Sequence, residues 1–338
     1  LIRALRPLAE RLDYNGRVLR FVRQNWFLLA LAALFALGFF GHAWLKPLAD
    51  QDWIRTDTVA LAMFLMALPL HGSALWNAVR RPWATLLAVG VTFGLLPLIA
   101  WGVSFGLSPE LKGGLLVAAV TPCTMASATV WTRKAGGNDT AATVVTVVTN
   151  LVCFLVTPVW MYMMTGQANR QSLGDAGKMV LQLLLTVVLP VIIAQVLRMR
   201  PIVAEFAARR KHGLGLASQC CILLMVLIGA IKTGAKLAGA TLIAAELLDL
   251  AAMIAAVLFV HIVSFWLGYF LAKAFGLRWG DQVAVAFAGS QKTLMVGMNV
   301  SIGAGYSVLP MVTYHISQLF IDTLLADWLK KRQPAHET

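Results

Sequence analysis

Residues 282–302 read QVAVAFAGSQKTLMVGMNVSI. At about 1.5 Å per helical residue this stretch is long enough to cross a ~30 Å hydrocarbon layer. Its one charge is Lys292, the sole charged side chain between Asp281 and Asp322. Eleven residues beyond Asp281, it stands ~16 Å deep, near the bilayer centre. Insertion scales set roughly 2.5 to 3.5 kcal/mol against a central lysine, so a functional or paired group is the default reading. The competing reading is a lysine that snorkels or pairs for structure alone. Around it Ser290, Gln291 and Thr293 offer alternative hydrogen bonds to the backbone, and Gly289 marks a candidate break in mid-membrane.

A second stretch of this kind is Thr121-Pro122-Cys123-Thr124-Met125-Ala126-Ser127. Pro122 removes a backbone donor and clashes with the preceding turn, while Thr124 and Ser127 can bond the groups so freed. Both stretches run on to glycine-rich turns, Gly136-Gly137-Asn138 and Gly303-Ala304-Gly305. Alone, either would be an ordinary kinked membrane helix. Two in matching positions predict a pair of discontinuous helices. Half-helix N-termini beside a fixed ammonium make a positively polarised pocket, suited to the carboxylate, sulfate or phosphate of a small organic anion.

The rest of the chain supplies the frame. Hydrophobic residues are 59% of 338 and charged ones 13%, a balance that makes lipid the main solvent. Apolar stretches of spanning length are expected at Gln24 to Leu45, Thr56 to Val79, Trp83 to Leu107, Lys112 to Thr132 and Thr140 to Thr165. Five more follow at Met179 to Leu197, Gly213 to Ile231, Asp249 to Ala272, Gln282 to Ile302 and Gly305 to Leu329. The longest connection, Arg198 to His212, divides these ten into two sets of five. A repeat with an odd number of spans must sit in opposite orientations in its two copies, which predicts inverted repeats with a site between them. The expected organisation is a basic cytoplasmic segment at 1–23, a first five-helix repeat at 24–165, a loop at 166–178, a second repeat at 179–329 and a cytoplasmic tail at 330–338.

A net charge of +13 raises nucleic acid as a partner, and the placement of the charge removes it. With the N-terminus cytoplasmic, 20 of the 28 Lys and Arg residues fall on that side and seven on the other. The bias alternates loop by loop as the positive-inside rule requires. Both ends are therefore expected in the cytoplasm of a plasma or bacterial cell inner membrane. Residues Leu1 to Arg23 read equally as an interfacial amphipathic helix or as a basic tail. They lack the pattern of a cleavable signal, so the first helix is expected to be retained.

Cys123, Cys153, Cys220 and Cys221 lie inside expected spans without metal-ligand spacing, and no motif of a hydrolase, zinc protease or phosphate-binding loop is present. The chain is thus expected to be no enzyme and to hold no metal cofactor. His315 and Asp322 share a helical face with Gln318 between them. They read as a proton or cation path, as the partner of Lys292, or as a polar interhelical contact. His71 and His261 read as hydrogen-bonded packing residues.

The stretch TPCTMASATVWTRKAGGNDTAATVVTVVTNLVCFLVTP, from Thr121 to Pro158, resembles the fourth and fifth helices of the bile acid:sodium symporter family. The stretches GSQKTLMVGMNVSIGAG and LPMVTYHISQLFIDTLLADWLKKRQ look like the divergent branch that holds its seventh vertebrate member. The resemblance covers nearly the whole chain. It implies an all-α membrane protein of ten helices, a panel and a core domain, and fourth and ninth helices that cross where sodium and substrate bind. The family's fourth-helix Ser matches Ser127 and its fifth-helix hydroxyl Thr146; its third-helix Gln falls at Thr92, before Pro97, and its ninth-helix Gln at Gln291. The sodium-binding Asn is Ala128 here, one hydroxyl ligand is Ala142, and the acidic sodium ligand falls at Phe287.

Sequence reading thus expects an alternating-access carrier of a small organic anion in the lipid bilayer. Its site gathers Thr92, Thr124, Ser127, Thr146, Ser290, Gln291, Lys292 and Thr293, with a residual sodium ion site open at Ser127, Thr146 and Gln291. Loss of the acidic ligand leaves sodium coupling in question, with Lys292 filling the cation's place. The alternative is a membrane regulatory protein of ion homeostasis that keeps the fold without robust transport.

Overall fold

A computed structural model describes residues 26–70, 82–125, 127–165, 170–238 and 244–334. The basic segment 1–23 and His71 lie outside the described residues. The chain is an all-helical polytopic membrane protein. Its first helix is α1 (Trp26–Phe40), followed after a 101° bend at Gly41 by the short α2 (His42–Ala49) and then by α3 (Asp52–Ala67). The first helix therefore ends at Phe40, inside the expected span Gln24 to Leu45. Trp44 of α2 is 91% exposed, and with Lys46 it suits the boundary between lipid and water.

Next come α4 (Pro82–Gly106), α5 (Pro109–Val120), α6 (Ser127–Lys134) and α7 (Asp139–Thr165). α8 runs from Arg170–Leu183 into Leu189–Arg198, followed by α9 (Pro201–Arg209) and α10 (Lys211–Leu237). The last four are α11 (Ala244–Ala274), α12 (Trp279–Ser290), α13 (Leu294–Gly303) and α14 (Leu309–Lys330). Among the described residues five helices are singly long and apolar enough to cross a membrane: α4, α7, and the stretches Gly174–Arg198, Lys211–Lys236 and Ala245–Ala274. The expected loop at 166–178 is already helical from Arg170, because this polar turn extends an apolar helix.

α4 and α8 share a local device. Each contains a π turn, Val91–Leu95 and Leu184–Val188, placed just before Pro97 and Pro190. Proline has no N–H for the carbonyl four residues back, and its ring crowds that carbonyl; the wider turn makes room and leaves acceptors free. In α4 the carbonyl four back from Pro97 is that of Phe93, and Trp160 Nε1 donates to it at 2.6 Å.

Two groups of contacts stand out, bridged by the packing of α8 along α7. One set joins α2 and α3 to α8 and α10, and the other joins α4, α5, α6, α7, α11, α12 and α14. α13 lies between them, against α3 and α10 on one side and α5 and α14 on the other. Where α5 meets the start of α14 the backbones are close enough to require glycine. A Cβ on Gly114 would stand 2.3 Å from the Ser307 carbonyl oxygen, which cannot swing aside. Gly114→Ala is accordingly expected to lower stability by about 1 to 3 kcal/mol. Gly102→Ala, with nothing within 4 Å of the new Cβ, is expected to be neutral or mildly stabilising. Thermal unfolding in detergent compares the two; equal midpoints would refute the packing.

Candidate functional site

Both expected breaks occur, and they meet. α5 ends at Val120, and residues 121–125 leave the helix before α6 begins at Ser127. α12 ends at Ser290, and Gln291, Lys292 and Thr293 are extended before α13 begins at Leu294. Pro122 lies in the first break as expected, and Gly289 does not lie in the second. It sits in the last turn of α12, where its Cβ would be 3.0 Å from Val91 Cγ1; its role is close approach to the π turn of α4. The two breaks pair through the Thr293 N–H, which donates to the Pro122 carbonyl at 3.0 Å.

Backbone groups opened in hydrocarbon have no water to bond and must find partners in the protein. Gln318 of α14 takes both groups of Lys292: its Oε1 accepts from the amide N–H at 3.0 Å and its Nε2 donates to the carbonyl at 3.1 Å. Thr92 Oγ1 donates to the carbonyls of Ala288 and Gly289, and the Tyr314 hydroxyl to that of Ser290, which closes the C-terminal end of α12. Ser290 Oγ turns back to Ala286 O. At the first break, Asn150 Nδ2 donates to Cys123 O, Thr149 Oγ1 accepts from the Cys123 N–H, and Thr157 Oγ1 donates to Val120 O.

Lys292 is fully buried. Its ammonium donates to Thr92 O at 2.8 Å and Thr121 O at 2.9 Å, and stands 5.7 Å from the centre of the Phe93 ring. Thr92 O is a carbonyl of the π turn, and Thr121 O lies at the C-cap of α5. Both are acceptors that helix geometry leaves free, and the second lies at the negative end of a helix dipole. The ammonium thus bonds backbone and is sealed from water, and Asp322 is not its partner.

Asp322, also fully buried, meets two other side chains. His261 Nε2 of α11 lies 3.0 Å from its Oδ1, and Gln291 Nε2 donates to its Oδ2. The Gln291 Oε1 accepts from Ser127 Oγ at 2.8 Å. A chain of contacts therefore runs Ser127, Gln291, Asp322, His261, and only its first member is partly exposed. His315 stays out of it, its Nδ1 lying 3.1 Å from Gln318 Nε2. Thr124 and Thr293 are buried at the breaks, and the Thr146 hydroxyl is bonded back to Thr143 O within α7. Among the expected site residues, Ser127 and Gln291 are brought together; Thr146 has turned its hydroxyl to its own helix.

Sequence reading missed His261, Asn150, Thr149, Thr157, Trp160 and Tyr314 as members of this network. Asn150 had a signal, being an amide in an apolar span four residues after Thr146. His261 was read as a hydrogen-bonded packing residue, and no local signal named its partner, which lies 61 residues away on another helix.

Removing the amide of Gln318 tests the accounting. Gln318→Leu leaves two buried backbone groups of Lys292 unpaired, with an expected loss of ~2 kcal/mol or more, since each such group costs about 1 to 3 kcal/mol. Trp160→Phe frees one carbonyl and is expected to lose ~1 kcal/mol or more. Calorimetry of both variants in detergent reads the loss; an unchanged midpoint for Gln318→Leu would contradict the bonding described.

Comparison with known proteins agrees with this architecture. Residues 25–331 match the model of the SBF-like CPA transporter family. An uncharacterized protein of Pseudomonas aeruginosa is 28% identical over 336 residues, which cover 93% of this chain and 95% of that one. The sodium/bile acid cotransporter 7 of Xenopus tropicalis is 24% identical over 339 residues, 93% of this chain and 95% of its own. The protein of Arabidopsis thaliana named "Probable sodium/metabolite cotransporter BASS4, chloroplastic" is 27% identical over 352 residues, 96% of this chain and 77% of its own. With a family match over nearly its full length and two interrupted helices joined in its interior, the chain belongs to the SBF-like transporters of the bile acid:sodium symporter family.

Proposed function

We propose that this chain is a secondary active transporter that moves a small organic anion by alternating access, with its site at the paired breaks. In this reading ten spans form two inverted five-helix repeats, a panel set holding α3, α8 and α10 and a core set holding the breaks. Both chain ends lie in the cytoplasm. The observation that carries it is the meeting of the two breaks, where the Thr293 N–H at the N-cap of α13 donates to the Pro122 carbonyl and Ser127, the first residue of α6, bonds Gln291. Helix N-termini favour anions. Ser127, at the start of α6, is the partly exposed group there and would meet a substrate carboxylate. Relatives named as sodium/bile acid and sodium/metabolite cotransporters support an organic solute.

We further infer that transport does not need sodium. Sodium is a hard cation that takes several oxygen ligands and is helped by negative charge. Here the two backbone oxygens that a cation would seek, Thr92 O and Thr121 O, already hold the Lys292 ammonium. The position of the family's acidic ligand is Phe287, and the Gln291 oxygen is engaged by Ser127. The Thr146 hydroxyl is turned back to Thr143 O in its own helix.

Uptake by the purified chain in proteoliposomes tests both points, with taurocholate, pyruvate and succinate as probe anions. Expected are accumulation of at least one of them, the same rate with and without a sodium gradient, and loss of uptake to background in Lys292→Met while the protein stays folded. A clear sodium dependence would refute the lysine's role as built-in cation, and full activity of Lys292→Met would remove the site at the breaks from consideration. Ser127→Ala, which leaves the Lys292 contacts in place, also separates the carrier from a regulatory scaffold, which should tolerate it.

A further inference from the structure

A cavity of about 480 Å³ lies between the C-terminal end of α10 and the N-terminal end of α11. α10 packs against α2, α3 and α13, whereas α11 packs against α4, α5, α12 and α14. From α10 the cavity takes Lys232 and Lys236, from α11 Glu246 and Asp249, and from the first turn of α5 Glu110. No residue of the paired breaks lines it. In the topology proposed above, this end of the molecule faces away from the cytoplasm.

Three of these charged side chains are already engaged. Lys236 pairs with Glu110 at 2.6 Å, and the Asp249 carboxylate accepts from the Ser108 N–H, its oxygens 3.2 and 3.3 Å away. The other two carry opposite charges and have no partner. Lys232, half-buried one turn before Lys236, makes no ion pair or hydrogen bond among the described residues. Glu246 is also half-buried, and its Oε2 is closed off from solvent without a donor among the described residues. A buried carboxylate oxygen in that state is unfavourable, and such groups are uncommon in folded proteins. An ammonium and a carboxylate lining one cavity would pair if they reached each other; here they stand on helices of different contact groups, with the space between them.

We propose that this cavity binds a small zwitterion of the ω-amino acid class, its acid group on Lys232 and its ammonium on Glu246. Charge argues for both ends. The lining holds three carboxylates against two ammonium groups, so a simple anion meets net repulsion and leaves the Glu246 oxygen without a donor. A simple cation is repelled by Lys232 and leaves it unpaired. A molecule with one charge of each sign serves both residues through charge-assisted hydrogen bonds. The walls argue for the stem. Leu111, Leu250, Ile302, Val308 and Leu309 also line the cavity, and methylenes between the charged ends gain by leaving water there. A few placed polar groups among apolar walls, in a space of this volume, are what a small-molecule site requires.

A second cavity gives the contrast. It measures about 320 Å³, shares Tyr306 with the first, and lies between α7, α8 and α13. Its charged residues, Asp175 and Lys178, pair with each other at 3.2 Å, and its Gln182 is bonded to Asn299, so no charge there is left for a ligand. The site at Lys232 and Glu246 goes beyond the carrier reading and does not depend on it. Its occupant ties α10 to α11, and with them the two groups of contacts, at this end of the molecule.

Calorimetric titration of the full-length chain in detergent tests the site, with glycine, β-alanine, 4-aminobutyrate and 6-aminohexanoate as probes and butyrate and butylammonium as singly charged controls. The series varies the distance between the two charges, so one member is expected to fit best and to bind at least about tenfold more tightly than either control. Lys232→Met and Glu246→Gln are each expected to weaken that probe at least about tenfold, while Lys232→Arg retains it. A series in which no ω-amino acid exceeds both controls overturns the proposal, and so does binding that survives Lys232→Met and Glu246→Gln undiminished. The unsubstituted chain decides the need for two charges even where a variant fails to fold. Uptake of taurocholate, pyruvate and succinate by the same preparation separates this site from the carrier reading. Zwitterion binding by protein that moves none of these anions supports the site and counts against the carrier; anion transport by protein that binds no ω-amino acid overturns the site alone.

Discussion

The ammonium of Lys292 bonded to the carbonyls of Thr92 and Thr121 is the interaction on which the interior depends, because it lets two helices be interrupted where there is no water. Interrupting a helix in hydrocarbon exposes carbonyls whose isolation costs several kcal/mol apiece. Burying a lysine there is also unfavourable, by roughly 2.5 to 3.5 kcal/mol on insertion scales. Each defect answers the other. Hydrogen bonds from a charged donor contribute about 1.5 to 3 kcal/mol each, so two of them are of the size needed to offset the lysine while satisfying two acceptors. The lysine emerges from the second break, one acceptor lies in the first, and the other lies in the π turn of α4, so a single side chain ties three segments distant in sequence.

The remaining free groups are met by short neutral side chains. Thr92, Thr149, Thr157, Asn150, Gln318 and Tyr314 each bond a backbone group at or beside a break. Such groups are inexpensive to bury once bonded, and unlike charges they do not compete for the anion. This explains why an interior with so many polar residues holds so few ions. The π turn belongs to the same economy: Pro97 in α4 frees a carbonyl for Trp160, and the widened turn presents the next one for Lys292.

How much of this could be read from the sequence follows the range of each interaction. The all-helical membrane class, the burial of Lys292 and the break at Pro122 rest on local properties, and they were legible. Gly289 misled because glycine serves both as a breaker and as a site of close approach, and only the neighbour Val91 decides between them. Gln318 was visible as a polar residue between His315 and Asp322, but the stripe suggested contact along one helix. In the structure Gln318 reaches across to Lys292, and Asp322 finds His261 on α11. Helical spacing fixes which residues share a face and does not say which neighbour that face meets. The bend at Gly41 is likewise not marked by the apolar run, which continues through it.

In the alternating-access reading proposed above, the site changes the side it faces without opening the bonded interior, so the movement belongs where the contacts are exchangeable. The contacts between the set holding α3, α8 and α10 and the helices of the breaks are of that kind. Arg55 Nη1 donates to Asn299 O at 3.0 Å, Gln182 Nε2 donates to Asn299 Oδ1 at 2.9 Å, and Lys236 pairs with Glu110 at 2.6 Å on the surface. Each joins one set to α13 or α5, and each lies toward the same end of the molecule as Gly303 and Tyr306. Arg55 leaves its Nε unpaired among the described residues. Lipid tails are as apolar as the side chains they would replace, so parting such an interface loses packing and a few polar bonds rather than a hydrophobic driving force. Water entering the parted end can take over those bonds. The interior around Lys292 has no such substitute, and in that reading it travels as one piece.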